Sequence, residues 1–195
     1  MTVNRERLVA EAVGLLDEGG LAAVTFRRLA QRLGVQAPTL YWHVKNKAAL
    51  VTALAEAILE PIELRPTESG EGWQDWLSEL AQQLRRALLA HPDGAQVVSQ
   101  AQLSLRMAEL SEVAIRTLSE SGLPLRDARL TVLAVERFTI GHVLEEQSGP
   151  PDVEGFDPEA YSARYPTVVR AIGEYFEPGR TVDDLFRDTL AVILR

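Results

Sequence analysis

The run TFRRLAQRLGVQAPTLYWHVKNKAAL at residues 25–50 constrains the fold more than any other stretch, because its apolar spacing is broken by one glycine and restarted beside one proline. Thr25 stands before Phe26, Leu29, Ala30 and Leu33, a helical spacing preceded by a capping hydroxyl. Gly34 then supplies the left-handed conformation that a sharp turn requires. The next segment, Gln36 to Val44, is short and carries Pro38, which a first helical turn tolerates because its N–H groups have no intrahelical partner. Asn46 caps a longer apolar helix through Leu50, Ala53, Leu54, Ala57 and Ile58, which Pro61 ends. Two short helices meeting at such a glycine have the geometry in which one crosses a DNA backbone while the other enters a major groove. Leu29, Ala30, Leu33, Val35 and Leu40 then point inward, leaving Gln36, Ala37, Thr39, Tyr41, Trp42 and His43 to face outward.

The rest of the chain is also helical in pattern, with almost no two-residue alternation. Asn4 caps a first helix through Leu8, Val9, Ala12, Leu15 and Leu16 that Gly19 and Gly20 terminate. After a loop at residues 64–72, apolar stripes predict helices from Trp73 to about Leu89, from Leu103 to Leu118, from Asp127 to about Gln147, around Ala160 to Phe176, and from Thr181 onward. A shorter segment follows Asp93, and Gly149, Pro150, Pro151, Gly155 and Pro158 mark a loop, with a turn at Pro178 and Gly179. The expected fold class is all-α: a three-helix head with a helix-turn-helix at residues 1–45, and a larger body at 46–195, linked by the helix at 46–60. A chain of 195 residues can bury a sizeable core.

Charge separates the two parts. Residues 1–50 hold seven Lys or Arg and four Asp or Glu, a net of +3, so the remainder carries −11 of the total of −8. A basic head suits phosphates, whereas the acidic whole argues against indiscriminate nucleic-acid or membrane binding. The absence of Cys removes disulfides, thiolate metal sites and cysteine nucleophiles, and no apolar run approaches the ~20 residues needed to cross a bilayer. A soluble, cytoplasmic protein without cofactor is expected. No nucleophile elbow, phosphate loop, nucleotide fingerprint or HExxH arrangement is present, so no catalytic residue and no metal site is assigned. His91, beside Pro92, reads as a helix-end interaction, and His142 as a satisfied interface or pocket histidine.

The segment LYWHVKNKAAL resembles the signature that closes the head of the TetR (tetracycline-repressor) family, and GEGWQDWLSELA, RALLAHPDGAQV and RFTIGHVLEEQ resemble successive helices of that family's body. The resemblance implies a homodimer whose interface is built from Asp127 to Gln147 and Thr181 to Leu194. It implies a repressor that binds a palindromic operator in double-stranded DNA until a small-molecule effector occupies the body. Arg27 matches a base-reading arginine, with a phosphate contact as the plainer role. Gln36 and Thr39 can meet base edges or phosphates, while Ala37 and Pro38 offer apolar contact to thymine methyl groups. Tetracycline-binding members carry Gln at the position of Ala37, which implies a changed operator preference. The resemblance sets Tyr41, Trp42 and His43 against sugar, phosphate and bases, where packing is the alternative, and makes Lys47 a phosphate ligand; Arg28 and Lys45 add general electrostatic attraction.

In the body, the same resemblance puts Leu80, Leu84, Val98, Leu103 and Val132 along an effector pocket, with polar points at Gln102, Glu136 and Glu145. The family's metal-ligating histidine falls at Val98, which cannot coordinate a cation, so magnesium–tetracycline binding is expected to be lost. Glu136 has an ion pair with Arg137 as its alternative role, and Glu145 a solvated helix end beside Glu146. Two further functions stay open: a small helical enzyme using Glu136, Glu145 or His142, and a protein-binding adaptor.

Overall fold

The computed structural model describes residues 4–101, 103–149, 154–177 and 179–195. Eleven helices account for the regular structure of the described residues: α1 (Arg5–Ala23), α2 (Phe26–Leu33), α3 (Ala37–Leu40), α4 (Lys47–Leu59), α5 (Trp73–Leu89), α6 (Gly94–Gln100), α7 (Leu105–Glu120), α8 (Leu125–Gln147), α9 (Pro158–Arg164), α10 (Pro166–Phe176) and α11 (Val182–Ile193). They fall into two compact units, residues 1–147 and 148–195.

Capping chemistry sets the starts of the first helices. Asn4 accepts from the Arg7 amide at 2.8 Å, Thr25 from Arg28 at 3.2 Å, and Asn46 from Ala49 at 2.8 Å, each satisfying an N–H that has no partner within its helix. Gly34 closes α2 at φ 69°, its amide donating back to the Ala30 and Gln31 carbonyls. Leu8, Leu16, Leu29, Leu40, Leu50 and Leu54 are fully buried and join the head into one core. Arg32 ties α2 to α1 by reaching Glu11 at 2.8 Å and Glu18 at 2.7 Å.

Gly19 and Gly20 break the helical path of α1 as expected, but a further turn continues to Ala23. Its direction is fixed from a distant segment. Asp93, itself left-handed at φ 58°, accepts the Leu21 amide at 2.8 Å, and Gly20 lies so close that a Cβ there would stand 2.4 Å from the Asp93 carboxylate. The α5–α6 turn carrying Asp93 is held in turn by Gln147 at the end of α8. Its Nε2 donates to the carbonyls of Leu88 at 3.1 Å and His91 at 2.8 Å, and its Oε1 accepts from Ala95 at 3.2 Å. His91 is also a helix-end residue in contact with α1, its Nδ1 lying 2.7 Å from Asp17 Oδ1.

In the body, α5, α7 and α8 pack on one another, while α6 packs on α4, α5 and α8. The loop before α5 is pinned where Trp76 Nε1 donates to the Arg65 carbonyl at 3.0 Å and Arg65 pairs with Glu71 at 2.8 Å. The Arg65 guanidinium and the Glu68 amide hold the Glu71 carboxyl down at about 2, so this pair persists into acid well below the ordinary carboxylate range. α7 begins at Leu105 under a Ser104 cap, two residues later than the spacing predicts, and α8 begins at Leu125, two residues earlier. In residues 148–195, the single helix expected around Ala160 to Phe176 is two, because Tyr165 precedes Pro166 and cannot continue a helix into it. Thr181 and Asp184 form a reciprocal capping box at the start of α11. The apolar positions Val168, Ile172 and Phe176 of α10 remain exposed. Pro150, Pro151 and Pro178 of the expected loops lie outside the described residues.

A Cβ at Gly94 would stand 2.1 Å from the Leu88 carbonyl oxygen, a backbone atom that cannot swing away. Gly94→Ala should therefore cost about 2–3 kcal/mol of stability, read as a lowered midpoint in urea unfolding. An unchanged midpoint would contradict the packing described.

Candidate DNA-reading face and buried cavity

The turn at Gly34 exposes a continuous face on and after α3. Gln36, Pro38, Thr39, Tyr41 and Trp42 are exposed there, and Ala37 and His43 half-buried. Leu40 alone turns inward, fully buried, and so fixes which side of this four-residue helix looks out. Tyr41 has two aspects: half of it is exposed, and its ring stacks on Phe26 at 4.9 Å with an interplanar angle of 11°. Trp42 is 89% exposed, an unusual place for the largest apolar side chain. Arg27 and Arg28 on α2, and Lys45 and Lys47 at the start of α4, are exposed beside this face. None of the four has a carboxylate within ion-pair distance among the described residues, whereas Arg32 is consumed by Glu11 and Glu18. Cationic groups, hydrogen-bonding side chains and aromatic surface thus share one outward face, a composition matched to a polyanion with readable edges.

The body contains a second feature. Between α5, α7 and α8 lies a cavity of about 30 Å³ lined by Leu77, Leu80, Leu84, Met107, Leu110 and Val132, among others. Of the residues expected to line a pocket, Leu80, Leu84, Val132 and Glu136 are brought together here. Val98 is buried in the core on α6 and Leu103 is 94% exposed at φ 53°, and neither lines this cavity. Glu145 is exposed, and Glu146 turns inward instead, meeting Arg85 at 2.5 Å and His142 Nε2 at 3.7 Å. Gln102 lies outside the described residues.

Among the described residues, Glu136 is the one ionisable residue that lines the cavity. It bonds not to Arg137 but to the Ser111 hydroxyl, which also reaches the Met107 carbonyl at 2.9 Å. Burial pushes its carboxyl up from the ordinary glutamate range, partly opposed by the Ser111 hydroxyl and by Arg129 and Arg137. Sequence reasoning missed Ser111, although the apolar residues Met107, Leu110 and Ala114 at i, i+3 and i+7 on α7 mark the face that it borders.

It also missed Arg106. This residue, next to cavity-lining Met107, reaches across to the end of α4: its Nε donates to the Leu59 carbonyl at 3.5 Å and a terminal nitrogen to the Ile62 carbonyl. Glu56 on α4 accepts the Arg106 amide at 3.1 Å. The cavity wall is thereby fastened to the helix that follows the outward face. No group of three or more His, Asp or Glu able to hold a metal ion occurs among the described residues, and no described helix is long and apolar enough to cross a membrane.

Comparison with known proteins gives a consistent picture. The family profile described as bacterial regulatory proteins, tetR family, matches residues 8–54, and the tetracyclin repressor-like C-terminal domain matches residues 65–195. Tetracycline repressor protein class D of Escherichia coli is 43% identical over 146 residues, covering 74% of this chain and 67% of that protein. The class A protein from transposon 1721, also from Escherichia coli, is 36% identical over 188 residues, covering 96% and 87%. Among solved structures, a substituted variant of TetR from Acinetobacter baumannii AYE in complex with minocycline has a TM-score of 0.75 at 32% identity, covering 99% of this chain and 95% of that one. BioQ with its natural double-stranded DNA operator has a TM-score of 0.67 at 32% identity, covering 76% and 90%.

The exposure of Trp42 makes a separable prediction. Trp42→Ala should leave unfolding free energy within about 0.5 kcal/mol of the parent while weakening binding to duplex DNA; a large loss of stability would show that the ring packs in the head instead.

Proposed function

The chain belongs to the TetR family of transcriptional regulators, and from that membership we propose that it is a homodimeric repressor that binds a palindromic operator and is released by a small organic effector. Members of the family are transcription factors, not enzymes, which sets aside a catalytic use of Glu136 or His142. The observation that carries the reading is the outward face at Gln36 to His43 flanked by Arg27, Arg28 and Lys47, cations that no carboxylate neutralises among the described residues. Arg27 reads a base edge, Gln36 and Thr39 meet base edges or phosphates, Ala37 and Pro38 meet thymine methyls, and Lys47 holds a phosphate. The functional division follows: a reading head at 1–45 and an effector-binding and dimerising body at 46–195, linked through 46–60. The second copy is met by residues Asp127 to Gln147 and Thr181 to Leu194, a reading supported by the exposed apolar side chains of Leu130 on α8 and of Val182 and Val192 on α11. Two recognition segments then lie about one helical turn, ~34–36 Å, apart on the duplex, or a multiple of it.

Effector control follows from the size of the cavity. Organic ligands occupy pockets of roughly 300–1,000 Å³, at least about ten times the 30 Å³ enclosed by α5, α7 and α8. An occupant must push those walls apart. The α7 wall carries Arg106, so its displacement pulls on the end of α4 and changes how the head is presented. Such coupling is reciprocal: operator binding weakens effector binding by the same factor. Tetracycline chelated to magnesium is not the effector in this reading, because Val98 replaces the histidine that ligates the metal in the family's tetracycline-binding members.

Selection of operator sequences from random duplexes, followed by binding at several salt concentrations, tests the head. A palindromic consensus is expected, and Lys47→Ala should weaken all sequences alike while lowering the slope of log affinity against log salt by about one unit. No preference over mixed DNA at fixed salt contradicts the proposal. Calorimetry with magnesium and tetracycline should detect no metal-dependent binding; tight metal-dependent binding would contradict the assignment of Val98.

A further inference from the structure

The hydrogen bonding around Glu136 contains a proton count that bears on which effectors the cavity selects. Ser111 has one hydroxyl proton and two acceptors in reach, the Met107 carbonyl at 2.9 Å and a Glu136 carboxylate oxygen. If Glu136 is ionised, Ser111 must choose between them. If Glu136 is protonated, it donates to Ser111 and Ser111 donates to Met107, and all three groups are satisfied. Burial pushes the carboxyl in the same direction. Among the described residues no cationic side chain lines the cavity: α5 presents Leu77, Leu80, Ala81 and Leu84, and α7 presents Met107, Leu110 and Ala114. The charged groups acting on Glu136 from its own helix, Arg129 and Arg137, are exposed to solvent. The cavity therefore holds one carboxyl group with no buried counter-charge among its lining residues.

We propose that the effector is an organic monocation, an apolar body bearing one ammonium group that lies against the Glu136 carboxylate. This rests on the body being the effector site. An isolated carboxylate in an apolar enclosure is costly, and a bound cation supplies the missing partner. A neutral ligand of the same shape gains the apolar contacts alone, and an anion meets repulsion once Glu136 is ionised. Below Glu136's raised pKa, binding drives its proton to the solvent and Ser111 turns its hydroxyl to the carboxylate. Affinity for a permanent cation thus rises with pH on the acid side of Glu136's raised pKa and levels off above it, while affinity for a neutral ligand changes little.

Trimethylphenylammonium and tert-butylbenzene provide the test, since they have nearly the same shape and differ by one charge that no pH removes. The cost of opening the cavity is common to both and cancels in their ratio. Calorimetry on the chain should find the cation bound about tenfold or more tighter than its neutral twin above Glu136's raised range, with the advantage shrinking as pH falls through it. Glu136→Gln should abolish both the advantage and its pH dependence, and operator binding retained by the same variant shows that it is folded. A cation that binds no tighter than tert-butylbenzene, including the case in which neither binds, overturns the proposal, as does an advantage that survives Glu136→Gln. Operator selectivity measured on the same preparation separates this from the repressor reading: selectivity retained without a cation advantage removes only the effector class, and its absence removes both.

Discussion

The guanidinium of Arg106 on the carbonyls of Leu59, the last residue of α4, and of Ile62 beyond it is the contact on which the architecture turns. A helix end leaves carbonyls without intrahelical donors, and here the donor comes from another helix, one whose next residues line the body cavity. Because α4 starts at the Asn46 cap, directly behind the outward face, it is a stiff rod with the face at one end and the cavity wall at the other. Glu56 doubles the attachment by accepting the Arg106 amide. A second tie runs from Asp93 to the kinked end of α1 and is held in place by Gln147 from α8. Thus α7 and α8, the two helices that present Ser111 and Glu136, each reach the head through polar contacts of defined geometry.

These ties also suit a cavity of such small volume. A largely apolar space of this size admits little more than one water. Close packing transmits strain, so an occupant must displace whole helices and cannot be absorbed by local softness, apart from what Met107 can yield. The proposed control of DNA binding therefore needs no separate relay: it follows from volume, from the single carboxyl group, and from the attachment of α7 to α4.

Much of the head was legible from its residues alone because its signals are local. Asn4, Thr25 and Asn46 cap amides three residues away, Gly34 adopts the conformation its neighbours require, and the apolar spacing around Leu29 and Leu40 selects the inward side. The body was less legible, for two reasons. Helical rotation of about 100° per residue makes one step of register decisive, which is why Glu146 points in while Glu145 points out. The contacts that matter most are also distant in sequence: Arg106 to Ile62, Asp93 to Leu21 and Ser111 to Glu136 span 44, 72 and 25 residues. No periodicity encodes such pairs. The break at Pro166 was readable, since the residue before a proline is pushed out of the helical region, but the apolar spacing on either side masked it.

The central claim is that cavity volume and DNA reading are coupled through α7 and α4, and a double-mutant cycle on operator affinity tests it most directly. Ala114→Leu enlarges a buried residue that lines the cavity and so stands in for an occupant, while Arg106→Met removes the donor to α4 at similar length. At fixed salt, the first substitution should weaken operator binding about tenfold in the parent but less than about twofold beside Arg106→Met, a coupling of about 1 kcal/mol. An equal loss in both backgrounds would contradict the account.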